Sequence, residues 1–564
     1  MARAARKEAA IAAAKSGEQM SHREIILVLI GLMSGMFLSA LDQSVVGSAM
    51  RTIADDLKGL ELQAWVTTAY LITSTIATPI YGKLGDIFGR RRMFIIAISI
   101  FLLGSILCGF ALDMYQLAAY RAVQGIGAGG LFSLAITVLA DIVPPRERAR
   151  YQGMFLAVFG TSSVLGPVVG GLFASAPQIL WINGWRWVFL INLPVGAIAL
   201  FMVVTFLHVP HIAKPQKIDW WGAVTIIMAV VPLLLVAENG NDWGWSSTQS
   251  ITMYVVGAVG IVAFILAERA AGETALLPLK LFKSSAFSMS TVVGVIIGFG
   301  MFGGMMTLPL LLQLVNGASP TESGFMMLPM VAGLMTATVV SGQVTRKTGQ
   351  YKIFLVTGTF LMLVGYVYMI SYNAHMAYWQ IAIGMVIIGL GLGQLMQTLT
   401  LVSQQSVPAS EVGVATSSAT FFRQMGGTLG VAVFISILFN SLGTTIGNAF
   451  KNKTISAGVM EAAQDPKVLA NPDNVAFLQS MKGGAGSGLG DQLKTDSSFL
   501  SKIDPRLAEP FKVGFADSAV QVFIWASVVV AVAFAMSFFV KAPALRNTSA
   551  SQEAREAAAA ASAH

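Results

Sequence analysis

Asp42 stands in the stretch FLSALDQSVVGSAM and is the sole acid well inside any long apolar run of the amino-terminal half. Placing an ionised Asp at the centre of a membrane helix costs about 2.5–3.5 kcal/mol on insertion scales, so such a residue is either held in an ion pair or put to use. Burial favours a neutral carboxyl and a nearby cation favours a carboxylate. An acid that can gain and lose a cationic partner therefore takes up and releases a proton. Arg121 can be that cation. It lies in LAAYRAVQGIGAGGL, where Arg121, Gln124, Gly125 and Ala128 share one helical face. Counted from the ends of their runs, Asp42 and Arg121 lie at equal depth, roughly 10 Å at about 1.5 Å per residue, so a switchable pair is geometrically allowed. Backbone carbonyls or Tyr70 are the alternative partners for Arg121.

Arg423, in SSATFFRQMGGTLGVAVF, is a second cation inside an apolar run. It can bind an anionic ligand group, relay charge during proton release, or bond to carbonyls, and exposure to lipid is costly in every case. Gln394 and Gln397 add polar candidates in an otherwise apolar carboxyl-terminal half. Its Met- and Phe-rich stretches, MFGGMM and GFMMLPM, suit core packing or hydrophobic ligands of variable shape. Other chemistries lack material. The histidines, His22, His208, His211, His375 and His564, fall in tails or loops, and Cys108 is the single cysteine, inside an apolar run. No disulfide framework, metal site, His–acid cluster or GxxxxGK[ST] phosphate loop can be assembled, so neither an enzyme nor a cofactor is expected.

The elements that carry these residues are membrane helices. With 564 residues, 55% hydrophobic and only 11% charged, and a mean hydropathy of +0.70, the chain departs from soluble proteins, of which about a quarter of residues are charged. Apolar runs of about twenty residues cross the hydrocarbon core. They lie near 25–49, 62–82, 93–111, 114–140, 152–174, 187–207, 220–237, 251–268, 288–314, 324–343, 353–371, 378–402, 413–441 and 516–540, predicting an all-α membrane protein of fourteen spans. Short loops on one side hold Arg90 to Arg92, Arg146, Arg148, Arg150, Lys214, Lys217, Arg269, Lys280, Lys283, Arg346, Lys347 and Lys352. Those on the other hold only Arg51, Lys58 and Arg186. Both termini are therefore expected to be cytoplasmic, as tails 1–24 and 542–564. The first twenty residues lack a cleavage site after a short apolar core and read as a cytosolic tail. Residues 442–514 fall outside, rich in Gly, Ser, Asn and Lys and partly flexible around GGAGSGLG at 483–490. The net charge of +8 is spread over short loops and orients the chain in the bilayer, with no nucleic-acid partner implied.

Residues 82–92, GKLGDIFGRRR, are too short and too charged to lie inside a bilayer and are expected to form a tight loop. Gly82 and Gly89 permit a turn and close helix approach, Asp86 can accept hydrogen bonds from a helix N-terminus, and Arg90, Arg91 and Arg92 mark the cytoplasmic side. A latch and a simple topological anchor both fit. Residues 342–352, GQVTRKTGQYK, repeat the seven-residue glycine spacing, with Arg346 in place of Asp86. Two parallel halves follow, offset by eight spans rather than six. That leaves a hairpin at 218–268 inserted between six-helix bundles at 25–208 and 288–541. The fifth run contains GTSSVLGPVVGG, where Gly160, Gly166, Pro167, Gly170 and Gly171 offer a bare packing face and an interrupted hydrogen-bond ladder. In the following WRWVFLINLP, Trp185 and Trp187 read as interfacial anchors.

The loop at 82–92 resembles the signature loop of the major facilitator superfamily, with Ile87 where that family has a basic residue. Fourteen spans, the inserted hairpin and a large outer segment resemble its fourteen-spanner drug:H+ antiporter family over roughly residues 25 to 541. The resemblance implies the major facilitator fold, with Gly82, Leu84, Asp86, Gly89, Arg90 and Arg91 latching the two halves. It matches Asp42 to the acid of the family's first-helix motif, although Gly47 replaces that motif's Asn, and Arg121 to the Arg of the helix 4 motif. It matches the fifth run to the motif found in exchangers. The implied function is proton-coupled export of amphiphilic or lipophilic compounds, such as drugs, antibiotics and dyes, across the cell membrane by alternating access. Asp42 would carry the proton and Arg121 modulate it, with Tyr70, Gln124, Gln394, Gln397 and Arg423 contributing to substrate binding or relay. The partners implied are a small amphiphile, protons and the bilayer, with the chain acting as a monomer. Export of a cell-envelope lipid or glycolipid is the alternative. A non-transporting scaffold or receptor would leave Asp42 dispensable.

Overall fold

The computed structural model describes residues 22–58, 62–207, 219–482, 500 and 502–546. The tails expected at 1–24 and 542–564 fall mostly outside the described residues. Lys214, Lys217 and the glycine-rich stretch at 483–490 fall wholly outside. The chain is helical almost throughout, as its long apolar runs dictate: a bilayer supplies no partners for backbone polar groups, and a helix satisfies them internally. A first bundle contains α1 (His22–Asp56), α2 (Gln63–Phe88), α3 (Arg90–Gly109), α4 (Met114–Ile142), α5 (Pro145–Ser175) and α6 (Asn192–Phe206). A hairpin follows, α7 (Trp220–Trp243) and α8 (Thr248–Ala271). The second bundle contains α9 (Ser285–Leu314), α10 (Leu328–Thr348), α11 (Lys352–Met369), α12 (Tyr378–Gln405), α13 (Val412–Lys451) and α14 (Pro505–Ser537).

Among the described residues, 11 helices are long and apolar enough to cross a membrane by length and composition. α2, α5 and α9 are not among them, despite lengths of 26, 31 and 30 residues. α2 carries Lys83 and Asp86 near one end, and α9 contributes only its apolar part, Ser285–Met301.

Each bundle has its own core. In the first, Leu29, Phe94, Phe101, Leu131 and Val138 pack together; in the second, Leu312, Leu355, Tyr366, Leu438 and Phe523 do so. The α7–α8 hairpin sits on the seam between them. Ile226, Ala229, Val230 and Leu234 of α7 share a cluster with Ile72 and Ile76 of α2 and Phe421 of α13.

Four sequence expectations change. Residues 82–92 are not a loop: α2 runs to Phe88, α3 starts at Arg90, and Gly89 alone separates them, with φ 93°. That backbone angle suits glycine, so the turn needs no further residues. The all-α expectation gives way at one small hairpin, where β1 (Gln178–Ile179) pairs antiparallel with β2 (Ile182–Asn183). Trp185 is not an interfacial anchor. It is 3% exposed and donates to Asp56 at 2.6 Å, clasping the end of α1, because the exposed Asp56 carboxylate reaches in to accept from its ring N–H. The segment 442–514 is mostly helical where described. α13 continues to Lys451, and short helices follow at Lys453–Gln464, Pro466–Leu469 and Pro472–Lys482. Asn452 and Asp465 cap the first two, accepting from Thr454 and Lys467 backbone N–H groups. Arg506 at the start of α14 ties the segment down through Asp465 at 2.9 Å and Asp504 at 3.1 Å, and its hydrogen bond holds the Asp465 carboxyl below the usual range.

Candidate functional site

α4 begins at an N-cap, Asp113, whose carboxylate accepts from the Gln116 backbone at 2.8 Å and so fixes the depth of the helix. Two turns on, Arg121 Nη1 donates to Asp42 Oδ2 of α1 at 2.5 Å and to Gln124 Oε1 at 2.8 Å. The other Asp42 oxygen accepts from Gln124 Nε2 at 2.8 Å and from Asn192 Nδ2 of α6 at 2.7 Å. Ser105 of α3 accepts from both amides, at 2.7 and 2.8 Å. The Tyr70 ring of α2 lies 4.0 Å from the Arg121 guanidinium carbon, and its hydroxyl pairs with Ser39 at 2.9 Å. Five helices thus converge on one acid. Asp42, Gln124, Asn192 and Ser105 are 0% exposed and Arg121 is 1% exposed. Arg121 Nε and Asn192 Oδ1 are sealed without a partner, leaving a spare donor and a spare acceptor beside the pair. Glycines make this convergence possible: a Cβ at Gly125 would lie 2.1 Å from Thr73 Oγ1 of α2, and one at Gly104 would lie 2.5 Å from the Gln124 backbone.

The sequence placed Asp42 against Arg121, and the structure joins them directly. It adds Gln124 and Tyr70, which were expected near Arg121. Asn192 and Ser105 were missed. Asn192 had a signal, as an amide opening an apolar helix. Ser105 had none, because a serine in a membrane helix is ordinarily satisfied by its own carbonyls.

A second charged centre lies at the Gly89 end. Arg90 donates to Asp141 of α4 at 3.1 Å and to the Gly82 carbonyl at 3.1 Å, and pairs with Asp86. Asp86 and Arg90 both face Gly413 in the first turn of α13 in the second bundle, where a helix N-terminus favours negative charge. Leu84 packs against the first core. Arg91, expected to act with Arg90, instead turns to the Val204 carbonyl of α6 at 2.5 Å. Arg148, read from sequence only as a marker of orientation, bridges the bundles: it is 2% exposed and donates to Gln404 of α12 at 2.5 Å. No spacing in VPPRERAR singled it out. The two bundles are therefore shut against each other at this end.

α5 meets both bundles. A Cβ at Gly166 would lie 2.2 Å from Ser44 of α1, one at Gly170 2.0 Å from Ser48, and one at Gly160 2.4 Å from Val331 of α10; Gly171 faces open space. Pro167 lies within the unbroken helix. In the second bundle Gln394 accepts from Thr357 at 2.5 Å, while Gln397 and Arg423 are buried and make none of the hydrogen bonds of the Asp42 centre.

Gly82 gives the shut end its simplest test. A Cβ there would lie 2.0 Å from Ser417 Oγ of α13. Gly82→Val is expected to disfavour the shut arrangement by about 1–3 kcal/mol, lengthening the spin-label distance between α2 and α13 at this end. An unchanged distance would contradict the packing described.

Two helical bundles meeting about a seam, with a buried acid–guanidinium pair inside the first, are the arrangement of a membrane transporter. The sequence pattern of the Major Facilitator Superfamily matches residues 32–431. The chain is 35% identical over 554 residues to the Multidrug transporter protein MdtP of Bacillus subtilis (strain 168), covering 97% of this chain and 98% of that protein. It is 34% identical over 432 residues to Multidrug resistance protein 3 of the same strain, covering 76% of this chain and 83% of that protein. Its fold is similar to that of the proton:xylose symporter XylE bound to 6-bromo-6-deoxy-D-glucose, with a TM-score of 0.55 at 14% identity, covering 95% of this chain and 100% of that one. The chain belongs to the major facilitator superfamily, and it is a multi-pass protein of the cell membrane.

Proposed function

We propose that this transporter is a proton-coupled antiporter that exports amphiphilic or lipophilic small molecules, with fourteen spanning helices, both termini cytoplasmic, and a single chain as the working unit. The observation that carries the reading is the fully buried Asp42, paired with Arg121 and bonded to Gln124 and Asn192. An acid held this way binds a proton only when its cation withdraws, and the spare Arg121 Nε donor gives the guanidinium another bond to make. Proton uptake at Asp42 is thereby linked to a movement of α4 relative to α1. With Arg90 to Arg92 cytoplasmic, the shut Gly89 end is the inner gate, latched by Gly82, Leu84, Asp86, Gly89 and Arg90. The glycine face of α5, against α1 and α10, is the surface on which the bundles rock. The names of the relatives support drug-like substrates, and the glycine motif on α5 supports exchange over symport.

Purified protein in liposomes with an imposed pH gradient is expected to accumulate a lipophilic fluorescent cation against the proton flow, and to lose the accumulation when a protonophore collapses the gradient. Accumulation indifferent to the gradient would sink proton coupling. A second reading, lipid export, draws on an apolar crevice of about 350 Å³ between α1, α5 and α6, lined by Met33, Phe37, Met154, Val158 and Val195. Movement of fluorescent lipids but not of dyes in the same liposomes would favour it.

A further inference from the structure

Two polar side chains of the second bundle are buried without partners. Arg423 on α13 is 5% exposed, and its guanidinium makes neither a hydrogen bond nor an ion pair among the described residues. Gln397 on α12 is 3% exposed, and its Oε1 is sealed from solvent with no partner. A guanidinium inside a membrane protein normally pairs with an acid or with carbonyls, so one that does neither awaits something that is not protein.

The helix register sets the two residues at one level. α12 and α13 are antiparallel neighbours joined by the short turn Ala409–Glu411, and Gln404 Nε2 donates across them to Thr416 Oγ1 at 3.0 Å. Seven residues back along α12 and seven forward along α13 both move two turns away from the Gly89 end, and both return to nearly the same helix face. Those steps land on Gln397 and Arg423, roughly 10 Å beyond the Gln404–Thr416 bond. α9 closes a third side at Gly298, where a Cβ would lie only 3.2 Å from Arg423 Cγ. The floor is the shut end itself, since Gln404 also accepts from Arg148 of the first bundle. The next residue on α13, Gln424, accepts from Thr78 of α2 at 3.3 Å, so this part of α13 runs along the seam between bundles.

The geometry points to a ligand site between Gln397 and Arg423 that takes the head group of an amphiphile carrying an anionic oxygen, such as a carboxylate, with an N–H or O–H donor beside it. A guanidinium offers donors only and best satisfies a carboxylate through two parallel bonds, while the unpartnered Gln397 Oε1 requires a donor. One head group with both features completes both residues. The site deepens the exporter reading and rests on it. It assigns acidic or zwitterionic amphiphiles to the transporter, and it separates substrate charge from the Asp42 centre, which lies in the other bundle.

The test uses a fluorescent N-acyl amino acid, which has a carboxylate beside an N–H, and its quaternary-ammonium analogue of equal chain length. Binding of each to the purified full-length protein is followed by anisotropy, and pH-gradient-driven uptake of each is followed in liposomes. The wild type is expected to bind the carboxylate, Arg423→Gln to weaken that binding at least about tenfold, and Gln397→Leu to weaken it by a smaller factor, with the ammonium analogue unaffected by either. Arg423→Lys, which keeps the charge without the fork, is expected to fall between and guards against misfolding. Absence of carboxylate binding by the wild type, or an equal loss of both probes in Arg423→Gln, overturns the site. Carboxylate binding that depends on Arg423, with no uptake following the gradient, sinks the exporter reading and leaves the site standing.

Discussion

Replacing Asp42 by Asn is expected to lower accumulation driven by a pH gradient by at least about a hundredfold, the scale on which a positioned proton-transfer group acts. Asp42 spends both oxygens on three donors, Arg121, Gln124 and Asn192. An Asn offers one acceptor oxygen and turns an NH₂ toward either the guanidinium or the two amides, so one donor pair loses its partner. It also leaves Arg121 buried without a counter-charge, a loss of about 3–5 kcal/mol of stability when one member of a buried pair is removed. Two effects must therefore be told apart. The double variant Asp42→Asn, Arg121→Gln removes both charges and is expected to recover much of the thermal stability while still ignoring the gradient. Thermal unfolding of the three proteins, measured beside dye uptake in liposomes, separates folding from coupling. If Asp42→Asn retains a wild-type response to the gradient, the proton is carried elsewhere.

Arg90→Gln is expected to open the Gly89 end, and Arg91→Gln to leave it shut. Arg90 stands between two acids, Asp86 and Asp141, 19% and 17% exposed, and holds the Gly82 carbonyl as well. Without it the two carboxylates repel at the inter-bundle contact, and a cost of about 3–5 kcal/mol against the shut state corresponds to a shift of about 10² to 10³ in the equilibrium. Arg91 bonds only to a carbonyl at the periphery, so its loss is worth about 0.5 kcal/mol or less. The readout is the thiol-labelling rate of Ser417→Cys, a position buried between α2 and α13. The background is low because the native Cys108 is itself buried. Labelling is expected to rise steeply with Arg90→Gln and to stay within about twofold with Arg91→Gln. Equal changes in both would remove the distinction between the two arginines.

The sequence made the membrane class, the two-bundle repeat and the Asp42–Arg121 pair legible because each depends on a strong local signal. Long apolar runs have few other fates, and an acid in one of them demands a partner. What escaped depends on contacts between distant helices. Which of Arg90 and Arg91 turns inward is set by the side of α3 that meets α2 and α4, and adjacent residues on a helix point about 100° apart. Arg148 looks like any loop arginine until α12 brings Gln404 to it. Helix ends in water were equally obscure: α13 passes the end of its apolar run and continues to Lys451, because hydrogen bonding and capping extend it where hydropathy no longer marks it. The clasp of Asp56 by Trp185 likewise needs the ends of α1 and of the β1–β2 hairpin side by side.

The single-residue break at Gly89 has a mechanical consequence. A flexible loop would let α2 and α3 drift independently, but one residue supplies only two soft torsions. α2 and α3 therefore behave as two rods on a common pin. When α2 swings away from α13, little slack can absorb the motion, and α3, whose Ser105 accepts from the two amides that bond Asp42, is dragged along the same arc. The break at one end of the molecule and the Asp42 centre in the middle are geared together by the shortness of their connection.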